Sequence, residues 1–417
     1  MTLPTKTRRD HESEAEFLQR LRARYQGSAT MDRMLAQSVE RFGDKEALVD
    51  GQGTRLTYRA MAEMVAQLAS GLRGLGLKAG DRVAVMMRSH ARYVMSYYAV
   101  ITHHMVLVPL NVRLAPPELA YILNNAGVSA ILADREFMPV IDAALASLGR
   151  DMPRVWTEAG EGMTWESLLD TPVASPPSIE ESALAAIYYT SGTTGQPKGA
   201  MITHLNMVAV GQQNVEAWYF DSPEVVELEI SPLFHVSFQE FGPPVHAVGG
   251  TLVVDNFSPA RSLDLIEREH INSFFAVPSM LFLMLAELDK KPRDVSSVRL
   301  VKYGGSPMPQ EKIREVQRVF SQALLVQGFG QTESTGMIAV TWPDDVAEVP
   351  LSTGRAISGC DIRIVDDEDR DLPPHQVGEV LAKGPQIMAG YWCRISRFLP
   401  QVVSRSLSPP RGGTRPS

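Results

Sequence analysis

The stretch Tyr188-Tyr189-Thr190-Ser191-Gly192-Thr193-Thr194-Gly195-Gln196-Pro197-Lys198-Gly199 crowds hydroxyls and glycines against a single lysine. Ala186-Ile187 before it and Ala200-Met201-Ile202 after it are apolar, which reads as strand, tight loop, strand. Glycine tolerates φ > 0 and lets backbone approach a ligand closely. A run of such residues turns several N–H groups toward one point and makes an anion nest. Ser and Thr hydroxyls add donors, and Lys198 adds a mobile positive charge. The chemistry this suits is holding a polyphosphate. A flexible Ser/Thr/Gly linker has no reason to be bracketed by apolar strands or to end in Pro-Lys-Gly. A Walker-type loop needs Gly-Lys followed directly by Ser or Thr at a helix start. Here Pro197 precedes Lys198 and Gly199 follows it, so that match fails.

Four further stretches carry candidate chemistry. Ser231-Pro232-Leu233-Phe234-His235-Val236-Ser237 is an apolar strand end that reaches a histidine. Lys302-Tyr303-Gly304-Gly305-Ser306-Pro307-Met308 is a strand followed by a glycine pair. Gln327-Gly328-Phe329-Gly330-Gln331-Thr332-Glu333 runs from a strand into a glycine-flanked aromatic and a carboxylate. Gly378-Glu379-Val380, Gly384 and Gly390-Tyr391-Trp392 close the set. Singly, each has a plain structural reading: His235 as a core histidine, Gly304-Gly305 as a turn, Glu333 as a helix cap.

The elements that must position these groups follow from periodicity. Residues 1–28 are polar, with Glu and Arg at helical spacing, and read as a polar arm, either a solvated helix or a loose segment. Helices are expected over Met31–Phe42, from a Thr57 cap to about Leu75, from a Ser89 cap to about Thr102, and from Pro116 to Gly127. Strands are expected at Ala47–Asp50, Arg82–Met87, Val106–Leu110 and Ala130–Ala133. Apolar strands alternating with amphipathic helices imply a mainly parallel sheet covered on both faces. This first α/β subdomain spans 29–180 and ends in a Pro/Glu/Ser-rich connection. A second, 181–349, carries the phosphate loop and repeats the rhythm, with Pro243-Pro244 read as a turn. Residues 350–392 read as a small β subdomain.

Composition narrows the class. At 417 residues the chain holds two or three domains. Its net charge of −8, with no basic stripe, argues against nucleic acid as a partner. Cys360 and Cys393 are too few for a disulfide framework, and a reducing, cytoplasmic setting is expected. No signal peptide is visible. The uncharged run from Tyr93 to Leu110 splits into a buried helix and a buried strand rather than a membrane span. His103 and His104 are expected to be solvated at that helix end. A nucleophile-elbow hydrolase is excluded, because no Gly-x-Ser-x-Gly occurs.

In this order and spacing the motifs resemble the adenylate-forming superfamily: acyl-CoA synthetases, aryl-CoA ligases, luciferases and peptide-synthetase adenylation domains. The resemblance covers about residues 30–392. It implies an α/β fold, the large N-terminal domain of that superfamily. It also implies ATP, Mg2+ and coenzyme A as cofactors and co-substrate, and activation of a carboxylic acid to acyl-adenylate and then acyl-CoA. By resemblance, Thr190, Ser191, Gly192, Thr193, Thr194, Gly195 and Lys198 wrap the ATP phosphates. Phe329, between Gly328 and Gly330, matches the aromatic that stacks on adenine. Thr332 matches the α-phosphate contact, and Glu333 the magnesium carboxylate. Gly304, Gly305 and Ser306 match the wall shared by adenine and acyl group, and His235 stands beside the substrate carboxylate. Amino-acid-activating relatives carry Phe-Asp-x-Ser where this chain has Phe234-His235-Val236-Ser237. A buried ammonium would lack its carboxylate there, which is costly, so a fatty or aryl acid is expected.

After Trp392 the resemblance stops. The family continues into a Thr-Gly-Asp motif and a small C-terminal domain with a catalytic lysine. Residues 393–417 contain no Asp, Glu or Lys and have the composition of a disordered, out-of-frame tail. The expectation is a truncated ligase with weak or lost activity, or a non-catalytic ATP- and acyl-binding remnant. Surface left uncovered favours association, including a homodimer.

Overall fold

In the computed structural model the described residues are 12–173, 177–190, 196–218, 222–342 and 352–392. The chain opens with α1 (Glu14–Arg24) and α2 (Met31–Phe42), then β1 (Glu46–Asp50), β2 (Arg55–Thr57) and α3 (Tyr58–Gly74). There follow β3 (Arg82–Met86), α4 (Ala91–Ile101), β4 (Val106–Pro109), α5 (Pro116–Ala126), β5 (Ala130–Ala133) and α6 (Met138–Leu148). Next are β6 (Arg154–Trp156), β7 (Met163–Thr164), β8 (Leu184–Thr190), β9 (Lys198–Thr203) and α7 (His204–Ala217). Then come β10 (Val226–Glu229), α8 (Ser237–Val248), β11 (Thr251–Val254), α9 (Pro259–Arg268), β12 (Ser273–Phe275) and α10 (Pro278–Lys290). β13 (Leu300–Gly304), α11 (Gln310–Val319), β14 (Leu324–Gln331) and β15 (Gly336–Val340) lead to four short strands. These are β16 (Arg355–Ala356), β17 (Asp361–Val365), β18 (Glu379–Lys383) and β19 (Gly390–Tyr391).

Two large sheets result. One runs β16-β15-β14-β13-β12-β10-β11-β1-β2, the other β19-β9-β8-β4-β3-β5-β6-β7. The central pairs of both are parallel. Alternation along each strand sorts its residues between two faces. Val83 and Val85 of β3 join the core between the sheets, with α3, α4, α7 and α8. Ala84 and Met86 join an outer core under α5 and α6. On the other sheet Leu228 and Val301 face an outer core under α9, α10 and α11. The molecule is therefore helix, sheet, helix, sheet, helix, with α7 and α8 buried between the sheets.

Several expectations change. The segment before residue 29 is helical where it is described, as one of its two readings expects, but it is packed on the domain rather than solvated. Ser13 and Glu16 form a capping box, and Phe17 and Leu21 are buried. Arg20 bridges Glu12 and Glu216, and Arg22 pairs with Glu181. The sheets do not part at residue 180: β1 and β2 join the second sheet, and β8 and β9 join the first. The 150–182 connection contributes β6 and β7. Within 350–392 only β17 and β18 form their own sheet, while β16 and β19 extend the two large ones. His90, not Ser89, precedes α4, without a side-chain cap. His103 is buried, and burial pushes its imidazole down to about 4. The segment 393–417 lies outside the described residues.

Pro243-Pro244 is not a turn but lies inside α8. A proline there lacks the N–H that would serve the carbonyl four residues back. For Pro244 that carbonyl belongs to Glu240, and the Asn214 side-chain amide of α7 donates to it at 2.5 Å. A neighbouring helix thus supplies the missing donor, and the buried helix continues.

Candidate active site

β8 and β9 form an antiparallel hairpin whose last paired residues are Thr190 and Lys198. Ser191, Gly192, Thr193, Thr194 and Gly195, at its tip, lie outside the described residues. β19 lies along β9, pairing Tyr391 with Ala200. The Lys198 ammonium sits 5.3 Å from the Tyr391 ring centroid. Tyr391 in turn donates to Glu333 Oε1 at 2.8 Å, and the Thr190 hydroxyl reaches the same oxygen at 3.5 Å. Burial, then the bond to Glu333, pushes the Tyr391 hydroxyl well above its usual range. Glu333 belongs to the other sheet, in a single 3-10 turn, Thr332–Ser334, directly after β14. That turn is held by Ser334, which accepts from the Gln331 N–H at 3.1 Å and donates to the Gln331 carbonyl at 2.9 Å. It is held too by the Thr335 hydroxyl, which donates to the Gln386 carbonyl at 2.7 Å. The hairpin of one sheet and the strand end of the other therefore meet at one carboxylate. Glu333 Oε2 has no hydrogen-bond partner among the described residues.

Beside this junction lies a cavity of about 440 Å³. Phe241, Phe275, Val277, Met280 and Met337 make its apolar wall, and His235, Thr332, Gly304, Gly305, Gly328 and Gly330 also line it. The glycines are required by contact. A Cβ on Gly304 would stand 2.7 Å from the Gly328 carbonyl, and Gly305 has φ +77°. Phe329 and Ser306 are outside the lining: Ser306 is exposed, and Phe329 alternates with Gly328 and Gly330 along β14. A second cavity of about 300 Å³, with Arg88, Asn111, Arg113 and Asn256 in its wall, shares Pro232 and His235 with the first. Desolvation against these walls lowers the His235 pKa below the usual imidazole range, and the Arg113 charge adds to the effect. His235 thus stands at the boundary of two cavities with its neutral form favoured.

The sequence matches the AMP-binding enzyme family over residues 35–392. The chain belongs to that family. It is 33% identical over 345 residues to a feruloyl-CoA synthase of Amycolatopsis sp, covering 82% of this chain and 67% of the relative. It is 31% identical over 407 residues to a long-chain-fatty-acid–CoA ligase of Escherichia coli, covering 87% and 70%. The chain thus spans about two thirds of the length of these relatives. Its fold is similar to that of a putative long-chain-fatty-acid CoA ligase from Rhodopseudomonas palustris. The TM-score is 0.79 at 28% identity, over 87% of this chain and 90% of that one.

Against this family background, four groups went unassigned in the sequence. In the sequence Tyr391 stands out only as part of a glycine motif, yet it bonds Glu333. Trp218 and Glu240 line the cavity. Lys302, fully buried, donates to both Glu227 oxygens at 2.7 Å. Burial pushes Glu229 and Glu240 up to about 8, which favours their protonated forms. Glu227, Glu229 and Lys302 carried a usable signal, since each is a charge inside an otherwise apolar strand. Trp218 and Glu240 carried none without the packing of α7 on α8.

Proposed function

We propose that this chain activates a fatty or aryl carboxylic acid with ATP and passes the acyl group to coenzyme A. The observation that carries the reading is the convergence of Thr190, Lys198, Thr332 and Glu333 from two sheets beside one apolar cavity. In the first step a carboxylate oxygen of the acid attacks the α-phosphorus and pyrophosphate leaves. In the second the thiol attacks the acyl carbon, AMP leaves and the thiol proton is released. Lys198 and Thr190 hold phosphate oxygens, and the hairpin tip between them is the proposed nest. Thr332, at the cavity edge, contacts the α-phosphate. His235 stands where acid and thiol must meet, and the second cavity, with its two arginines, is the proposed path for the thiol. Phe329 packs on adenine from the side of β14 away from the acid. Catalysis is positioning and charge stabilisation, with little covalent protein chemistry.

The residues present fit a magnesium ion. Among the described residues no three His, Cys, Asp or Glu cluster as a metal cage, but an ion carried on phosphates takes only one or two protein carboxylates. Glu333, with Oε2 unpartnered, is the residue that would hold it. The ion would neutralise charge building on the phosphate oxygens. No helix among the described residues is long and apolar enough to cross a membrane.

The test is acid-dependent pyrophosphate release by the 417-residue chain with ATP and Mg2+, over fatty, aryl and amino acids. Release with fatty or aryl acids, abolished in Lys198→Ala, is expected. Acid and ATP binding without release identifies a non-catalytic binder instead. Preference for amino acids refutes the substrate class.

A further inference from the structure

We propose that residues 385–391 are a strap that fixes Glu333 against the Lys198 hairpin, and that Asn206 is the positioning residue that holds it. This rests on Glu333 being the magnesium carboxylate and names what sets its place. The strap joins both sheets. On one side β19 pairs with β9, and the Ala389 N–H donates to the Met201 carbonyl at 2.9 Å. On the other it makes three bonds to the turn that carries Thr332 and Glu333 and to Thr335 after it. The Met388 N–H donates to the Glu333 carbonyl at 2.9 Å, Tyr391 donates to Glu333 Oε1, and the Gln386 carbonyl accepts from the Thr335 hydroxyl. A carboxylate on one sheet thus takes its position from a segment anchored on the other.

The turn needs that hold. Thr335 is a β-branched residue at φ +54°, and Gly336 follows at φ +137°. β-branched side chains rarely take a positive φ. Such a conformation costs energy and persists where surrounding contacts over-determine it. Here Thr335 is fully buried, and its hydroxyl is spent on Gln386.

Asn206 sets the other end. It stands in the first turn of α7, directly after β9. Its Oδ1 accepts from the Thr203 N–H at 2.9 Å, which completes the capping box of the helix. That leaves the two amide hydrogens of Nδ2. They go to the Pro385 carbonyl at 2.7 Å and the Ile387 carbonyl at 2.9 Å, 179 and 181 residues away. The cap requires neither bond; both serve the strap. Gln213, two turns further along α7, adds a bond to Gln386 Oε1 at 3.2 Å. Asn206 is itself buried, so removing its amide leaves both carbonyls without their donor and frees the strap to shift. Groups that orient a metal ligand in this way govern the affinity of the metal.

The experiment measures dissociation constants of ATP with Mg2+ and with EDTA, by calorimetry on the full 417-residue chain. Asn206→Ala and Thr335→Val should each lower the Mg2+-dependent gain in affinity about tenfold, the scale of loss when a metal ligand's orienting groups are removed. Affinity in EDTA should not change. Thr335→Ser, which keeps the hydroxyl, should bind as wild type does. Thr203→Ala removes the cap bond to the Asn206 N–H and leaves the strap bonds in place. It should therefore lower the melting temperature but not the Mg2+-dependent gain. In a Glu333→Gln background Asn206→Ala should have no further effect, because both act through one carboxylate. A wild-type gain in Asn206→Ala and Thr335→Val overturns the proposal. So does an equal loss in EDTA, or an undiminished loss in the Glu333→Gln background. If Asn206→Ala does not fold, Thr335→Val against Thr335→Ser decides on the same readout. A wild-type gain in Glu333→Gln refutes the metal reading and the strap with it, whereas a loss confined to Glu333→Gln refutes the strap alone.

Discussion

Replacing Lys302 by Met removes the one ammonium that serves a fully buried carboxylate. Lys302 on β13 and Glu227 on β10 face each other across β12, both with no exposed side-chain surface, at 2.7 Å. Burial lowers Lys302 to about 8, opposed first by Glu227, and raises Glu227, opposed first by Lys302. Glu229, two residues along the same face, is raised to about 8 by burial and then by Glu227. Among the described residues no second cation is set against Glu227 to take over. In Lys302→Met, Glu227 must therefore take up a proton in the folded state. Protonating a carboxyl of ordinary value 4.5 at pH 7 costs about 3.4 kcal/mol, at 1.36 kcal/mol per pH unit. That agrees with the roughly 3–5 kcal/mol seen when one partner of a buried pair is removed. The sign follows from linkage. A folded-state pKa above the unfolded value gives stability present below the unfolded pKa and lost as pH rises. The penalty should thus shrink to about 0.7 kcal/mol at pH 5. Urea unfolding at pH 7 and pH 5 reads both values. In Lys302→Met with Glu227→Gln most of the loss should return, since a neutral buried pair needs no counter-charge. An unchanged midpoint for the single variant at pH 7, or a double variant as weak as the single, would refute this account.

Other outcomes follow from the same structure. His246 donates from Nε2 to the Ala47 carbonyl and accepts from the Tyr98 hydroxyl at Nδ1, and burial lowers it to about 4. Stability tied to it is present above 6.5 and lost as pH falls toward 4, about 2 kcal/mol by pH 5. Glu229 and Glu240, raised to about 8, act in the opposite direction, so the check is a shallower acid slope of melting temperature in His246→Gln than in wild type. Glu333→Gln should weaken Mg2+-dependent ATP binding by about tenfold or more with little change in melting temperature. Tyr391→Phe, which frees Glu333 Oε1, should change that affinity by less, and equal binding titrations for wild type and Glu333→Gln would remove Glu333 from the site. Asn214→Ala leaves the Glu240 carbonyl without its donor inside a proline-bearing helix and should cost about 1–3 kcal/mol in urea unfolding.

What the sequence made legible was local. A hairpin with a glycine-rich tip, a glycine pair ending β13 and a carboxylate ending β14 each lie within a dozen residues, so their chemistry is visible in order. Strand partners were less visible. β1 pairs with β11 some two hundred residues away, and β8 pairs with β4. Continuous apolar strands, buried on both faces, do not encode which neighbour they take. Pro243-Pro244 misled for a physical reason. Proline ends helices unless another group serves the freed carbonyl, and the group that does so is Asn214, on a different helix.

Part of the hidden site was nevertheless deducible. In Val226-Glu227-Leu228-Glu229 the two carboxylates fall at i and i+2, hence on one face of one strand. A strand in the middle of a mainly parallel sheet has no solvent face, so both must be buried. A buried carboxylate needs a cation or a proton. Across β10, β11, β12, β13 and β14 the only Lys or Arg is Lys302. One cation for two acids means one ion pair and one carboxyl pushed toward its protonated form; Lys302 pairs with Glu227, and burial raises Glu229 to about 8. That reasoning fixes a charged seam beneath the strand ends that carry Ser231 and Gly304. It does not reach Glu240 or Trp218, because their meeting depends on how α7 and α8 lie between the two sheets, and no strand pattern carries that information.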